Sequence, residues 1–249
     1  MKNKIYSAKI IDLALLIEDN LIISDLHLGY EQNLNTEGLM VPKFQYEKIL
    51  TRLKEIFNKL DLKNVNTIII NGDLKHEFAK ISKQEWREVI NFLEFLKKNF
   101  EEIILIKGNH DNFTQFIAKK CELEVYETYS IGNYVLMHGH KLPSNIEELN
   151  DSTIIIGHEH PCIGLRSGER VEKIKCFLKG EWEGIKLIVM PSFNFITEGS
   201  DILHEKLLSP FLDSNSILEF EVFAVENFEI FHFNKIEDIL SFNDNFFPE

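Results

Sequence analysis

The spacing of apolar residues changes along this chain, and each change predicts an element. Residues 13–25 read LALLIE, DN and LIISD in turn, two apolar runs about a short polar turn, which predicts a β-hairpin. From Gln45 to Leu60 the spacing becomes helical, with Ile49, Leu53, Ile56, Phe57 and Leu60 on one face. NTIIING then reads as a buried strand. A second helical stretch runs from Ser82 to Phe100, with Trp86, Val89, Ile90, Leu93, Leu96 and Phe100 as its apolar stripe. Ser82 and Glu85 stand at its start in the spacing of a capping box. IILIKG is another strand, and residues 113–120 read as a short helix. Beyond them the chain is strand-rich: NYVLMHG, STIIIG, KIKCFL and IKLIVM. The tail from Ser216, ILEFEVFAVENFEIFHF, alternates and predicts a final hairpin turning near Glu226 and Asn227.

Strands alternating with helices in the first half predict an α/β layered core, and successive strands in the second half predict another sheet packed on it. No repeat or linker interrupts the chain, so one domain over residues 1–249 is expected. There is no apolar run of about 18 residues, hence no expected membrane span. Asp12 breaks the first apolar stretch and no small-residue cleavage site follows, so no signal peptide is expected. Three scattered cysteines, Cys121, Cys162 and Cys176, fit a reducing cytoplasm rather than a disulfide framework. The net charge of −13 disfavours non-specific DNA binding, which rests on basic side chains.

The candidate chemistry lies where the strands end. LIISDLH carries Asp25 and His27, TIIINGD carries Asp73, and IILIKGNHD carries Asn109, His110 and Asp111. YVLMHGH adds His138 and His140, and TIIIGHEH adds His158 and His160. Six of the nine histidines fall in these blocks, at the strand edge where open α/β sheets bind ligands. DxH, GD and HGH each have a plain reading as turn or loop, and GNHD, where Asn, His and Asp crowd together, leans toward function; together the blocks supply carboxylate, imidazole and amide oxygen at one edge. In DxH and HxH an extended backbone puts both side chains on one side. That mixture suits two divalent transition metals that clamp a phosphoryl group and activate a water between them. Mixed nitrogen and oxygen donors favour Mn, Fe, Zn, Ni or Co over Ca, and the absence of a cysteine cluster argues against a structural zinc site. PSFNF, residues 191–195, follows a buried strand and reads either as pocket wall or as plain loop.

The ordered blocks DxH, GD, GNHD, HGH and GHxH resemble the calcineurin-like metallophosphoesterase superfamily over Asp25 to His160. SDLHLGYE, GDLKHEF and MHGH look most like archaeal phosphoesterases related to the SbcD nuclease subunit, and like bacterial phosphoesterases encoded with a DNA ligase. The resemblance implies a four-layer αββα sandwich of two mixed sheets flanked by helices, with a binuclear centre. It implies that Asp25, His27 and His160 hold one metal, that Asn109, His138 and His158 hold the other, and that Asp73 bridges them. His110 would protonate the leaving oxygen or steady the phosphate, Asp111 would orient His110, and His140 would contact substrate. The arginines that follow GD and GNH in the Ser/Thr-phosphatase branch are missing: Lys75, His76 and Glu77 follow Asp73, and Asn112 follows Asp111. About 90 residues follow His160 and read as strands finishing the sheets plus a tail, so a full capping domain of the SbcD type is not expected.

The expected activity is metal-dependent hydrolysis of small or nucleotide phosphodiesters by a hydroxide held between two ions, manganese first among them. A DNA nuclease with a repair partner is the alternative. A non-catalytic metal-binding scaffold is a third reading, which gives His110 no task.

Overall fold

The computed structural model describes residues 3–60, 62–77, 82–111, 114–167 and 170–246. In chain order the elements are β1 (Lys4–Ile5), β2 (Ala8–Ile11), β3 (Ala14–Ile17), β4 (Asn20–Ile23), α1 (Tyr30–Thr36), α2 (Gln45–Lys59), β5 (Thr67–Asn71), α3 (Lys83–Lys97), β6 (Glu102–Ile106), α4 (Thr114–Lys120) and β7 (Val125–Tyr126). There follow β8 (Thr128–Ile131), β9 (Tyr134–Met137), β10 (Thr153–Ile156), β11 (Pro161–Ser167), β12 (Arg170–Trp182), β13 (Ile185–Val189), β14 (Ser200–Asp201), β15 (Glu221–Glu226), β16 (Glu229–Lys235) and α5 (Ile236–Phe246).

The first sheet runs β1 to β7 in sequence order. Its first half is an antiparallel meander, and β4 to β7 are parallel, joined through helices. The second sheet has nine strands. Its centre is parallel, with β10 between β9 and β13, while β12 pairs antiparallel with β11, β13 and β15. One apolar core joins α2, α3 and the first sheet to the inner face of the second. Alternation along β10 shows the two faces: Ile155 belongs to this core, whereas Ile154 and Ile156 point to an outer core. Residues 202–220 and the start of α5 cover that outer core, so the fourth layer is partly irregular chain. This is the expected α/β sandwich of two mixed sheets flanked by helices.

The expected hairpin forms between β3 and β4, turning through Glu18 at φ 53°. The tail hairpin turns at Asn227 and Phe228, both at positive φ. Both long helices appear where the helical spacing begins. The Ser82 hydroxyl caps α3 by accepting from Glu85 N at 3.0 Å. In α2, whose first residues offer no side-chain cap, the buried Glu31 carboxylate accepts from Phe44 N and Gln45 N at 2.6 and 2.5 Å. The short helix α4 follows the GNHD block; residue 113, its expected first residue, lies outside the described residues. Strands β1, β2, β7, β8, β11 and β14 and helix α1 carry no clear period in the sequence, whereas α5 has helical spacing at Ile236, Ile239 and Leu240 that the expectation of a tail hairpin passed over. Several of these strands are only two residues long and owe their form to neighbours. Among the described residues no helix is long and apolar enough to cross a membrane.

Phe177 lies fully buried on β12 in the core between the sheets. Its replacement by alanine is expected to destabilise the fold by about 3–5 kcal/mol, measured as a lower midpoint of urea unfolding.

Candidate metal centre

Each block sits directly beyond a parallel strand: Asp25 and His27 after β4, Asp73 after β5, Asn109 to Asp111 after β6, His138 and His140 after β9, and His158 and His160 after β10. The two sheets meet here. Asp25 N donates to Gly72 O at 3.1 Å, His27 N to Asp73 O at 2.9 Å, and Gly157 N to His138 O at 2.9 Å. Asn71 Nδ2 crosses between the sheets to Ile155 O at 3.5 Å.

The backbone at the site is not extended, which changes the expected reason for convergence. Asp25, His27, Asp73, His158 and His160 all have φ between 49° and 63°. In this left-handed region the alternation of side chains along a strand no longer applies. These residues are aimed inward by turns, not by a shared strand face. Asp and His tolerate the region better than bulky or branched residues, and such conformations cluster at functional sites.

Among the described residues three groups of donors result, His27, His76 and His110 forming one of them, while the other two consist of expected ligands. In the first of these two, Asp25, His27 and His160 converge. His160 Nε2 is 3.0 Å from Asp25 Oδ1 and 3.3 Å from His27 Nε2. In the second, Asp73, His138 and His158 converge. His138 Nε2 is 3.3 Å from Asp73 Oδ2 and 3.0 Å from Asn109 Oδ1. Asp73 Oδ2 also lies 3.6 Å from His27 Nε2, so one oxygen reaches both groups. Donor atoms on a tetrahedral ion with bonds near 2.0–2.1 Å stand about 3.3 Å apart. These separations match that spacing, and the donor set fits divalent cations.

Surrounding bonds fix the donors. The Ser24 hydroxyl donates to Asp25 Oδ2 at 2.6 Å, and His158 N approaches both Asp25 oxygens at 3.2 and 3.1 Å. His138 Nδ1 donates to Asn71 O at 3.1 Å, which turns Nε2 toward Asp73 and Asn109. Glu159, between the two histidines of its block, is fully buried and points away, accepting from Leu208 N and Ser209 N at 2.8 Å each. Of PSFNF, Phe193 N donates to Ser24 O at 2.7 Å, so this segment backs the Asp25 turn. Its Phe195 lines a neighbouring cleft of about 1160 Å³ together with Lys48 and Lys175.

Burial opposes charge throughout. It alone would raise the Asp25 carboxyl, but His160 and His138 overcome it and hold the group down at about 2. Burial likewise opposes ionisation of Asp73, yet His138, His27 and His110 keep it well below the usual carboxylate range. Burial and neighbouring imidazoles push His27 well below its ordinary value. They push His158 down to about 4. Burial lowers His138 too, but Asp73 and Asp25 prevail and raise it to about 9.

Asp111 lies buried beneath Asp73. Its Oδ2 accepts from Asp73 N at 2.8 Å and Gly108 N at 2.9 Å, and its Oδ1 from the Thr114 hydroxyl at 2.8 Å. With these donors the carboxylate fixes the Asp73 backbone, and the His76 carbonyl accepts from His110 Nδ1. His110 N donates to Asp73 Oδ1 at 2.9 Å, and its Nε2 lies 3.9 Å from Asp73 Oδ2. His140 stands beside the second group, its ring 5.4 Å from His138 and 6.1 Å from His158.

The sequence profile of calcineurin-like phosphoesterases matches residues 21–205. The chain belongs to this family. It is a hydrolytic phosphoesterase, and the family's use of divalent metals agrees with the donor groups just described. No curated protein matches it in sequence. Among solved structures, the nuclease MPE of Pseudomonas putida is 17% identical with a TM-score of 0.65, covering 92% of this chain and 98% of its own. The phosphoesterase Yfce of E. coli is 14% identical with a TM-score of 0.39, covering 87% and 98%.

Sequence reading missed His76 as part of this phosphoesterase site. Its Nδ1 lies 3.4 Å from His27 Nδ1, and its ring is stacked between Tyr30, at 4.0 Å, and His110, at 5.3 Å. The only signal was its place three residues after Asp73, outside any strand-end pair.

A Cβ on Gly108 would lie 2.0 Å from Asp73 Oδ1 and 2.4 Å from Asp73 N. Gly108→Ala is therefore expected to displace the shared carboxylate. Wild-type protein should gain about 2.7 kcal/mol of stability at a metal concentration 100-fold above Kd, whereas the variant gains little, as read by thermal unfolding with and without manganese.

Proposed function

We propose that the protein hydrolyses phosphodiesters at a pair of divalent cations, with small or nucleotide diesters as substrates. Manganese is the preferred ion, with Fe, Ni, Zn and Co as alternatives. The observation that carries this reading is the position of Asp73 Oδ2, within 3.6 Å of His27 Nε2 and 3.3 Å of His138 Nε2. Asp25, His27 and His160 would hold one ion and Asn109, His138 and His158 the other, with Asp73 shared between the two groups. When bound, the ions supply positive charge for the phosphate oxygens and lower the pKa of water.

The chain's own groups do the rest. Imidazole and amide donors limit the negative charge facing the substrate, so an anionic diester can approach. Attack by water oxygen forms one P–O bond as the bond to the leaving oxygen breaks. His110 gives that oxygen a proton from Nε2, its Nδ1 being committed to the His76 carbonyl. His140 contacts the substrate beside the second ion.

A DNA nuclease is the second reading. The observation favouring it is that the fold match covers 98% of a chain named as a nuclease. The net charge of −13 weighs against it.

Manganese-loaded protein is expected to hydrolyse bis-p-nitrophenyl phosphate. Asp73→Asn should lower kcat/KM about 100-fold or more, the scale of a lost metal contribution. Absence of turnover with all five ions would sink the proposal. In parallel assays, faster cleavage of a labelled DNA duplex than of cyclic and dinucleotide diesters would select the nuclease reading instead.

A further inference from the structure

Lys75, on the loop after Asp73, and Glu85, on α3 against it, are buried residues of opposite charge that the reaction just described does not use. Lys75 is fully buried and Glu85, on α3, is 2% exposed. The Lys75 ammonium donates to the carbonyls of Glu77 and, at 2.6 Å, His110. Glu85 Oε1 accepts from His76 N at 3.1 Å and Glu77 N at 3.0 Å. Between them runs the His76 backbone, whose carbonyl accepts from His110 Nδ1.

We propose that Lys75 and Glu85 are positioning residues for His110, committing Nδ1 to the His76 carbonyl and leaving Nε2 as the nitrogen that faces the reaction. This rests on the assignment of His110 to the leaving group made above. Glu85 holds the His76 and Glu77 amides, which fixes the direction of the His76 carbonyl. A carbonyl only accepts, so the Nδ1 proton of His110 stays in that bond, and Nε2, turned toward Asp73, is the nitrogen that carries the second proton, the one given to the leaving oxygen. Lys75 ties the His110 backbone to the same loop, so ring and carbonyl keep one spacing. Stacking of His110 on His76, and of His76 on Tyr30, removes the remaining freedom of the ring plane.

Burying a lysine and a glutamate is costly unless both are bonded, and a structural role alone would be filled as well by apolar residues. The surroundings are shaped to admit Glu85. A Cβ on Gly29, whose φ is +88°, would lie 2.8 Å from Glu85 Cγ. The glycine of the first block thus lets the carboxylate stem reach the loop.

The test compares two diesters of thymidine 5′-phosphate: a p-nitrophenyl ester, which leaves without help, and thymidylyl-thymidine, whose alkoxide needs a proton. Lys75→Met is expected to lower kcat on the dinucleotide about 10-fold, with KM and metal content unchanged and a much smaller loss on the activated ester. In a His110→Ala background the same substitution should add nothing. In zinc-loaded protein with 15N-labelled histidine, the His110 signal, assigned by its loss in His110→Ala, should change from the Nδ1–H form to a mixture of forms. Equal losses on both substrates that add to those of His110→Ala, or a ring that keeps Nδ1–H, would overturn the proposal. If His110→Ala spares the dinucleotide reaction, the leaving-group assignment fails, and the ring signal still decides the positioning claim. Should Lys75→Met not fold, Glu85→Asp keeps the charge while withdrawing the carboxylate from the loop. The same selective loss and ring change are expected of it, and their absence counts equally against the proposal.

Discussion

The burial of one carboxylate, Asp73, organises this molecule. Its Oδ2 faces imidazoles carried by strands of both sheets, and its Oδ1 accepts the His110 amide. A buried charge is tolerable only when paired and hydrogen-bonded. The arrangement at the sheet junction meets that need from several directions at once. Asp111 holds the Asp73 amide, Gly108 leaves room for its oxygen, and β5 delivers it from the middle of the parallel half-sheet. The two sheets are thus joined by an apolar core in the interior and by polar chemistry at one end.

Like groups crowd together at that end. Imidazole nitrogens lie 3.3 and 3.4 Å apart, and five proposed ligands adopt left-handed backbone. Neither feature stabilises the fold. Both are sustained because the strands behind them are rigid, isoleucine-rich and fully buried, as in IIIN of β5 and TIII of β10. Cations placed among these donors would convert repulsion into bonding, which couples metal occupancy to stability. The same logic extends outward to Lys75 and Glu85, two further buried charges that hold a loop beside the centre.

The scale of the core explains how such a site is sustained. Ile155, Phe177 and Ile188 from the second sheet share one cluster with Ile69, Leu93 and Ile56 from the first sheet and its helices. Apolar burial on both faces of the first sheet gives a stiff platform. Strained turns at its edge then cost a small fraction of what the platform contributes.

Much of this was written in local sequence. Apolar runs of four or five residues ending in Asp, Asn or His marked both the parallel strands and the donor inventory, because strand burial and strand-end chemistry are short-range patterns. The long helices and both hairpins were legible for the same reason. Only the tertiary structure decided how the donors converge. His158 meets Asp25 across 133 positions, and His110 meets Asp73 across 37. The left-handed turns that aim these residues, the bond of Asp111 to the Asp73 amide, and the places of His76, Lys75 and Glu85 carry no periodic signal. They depend on backbone groups from separate strands being brought within hydrogen-bond reach, which no stretch of sequence specifies alone.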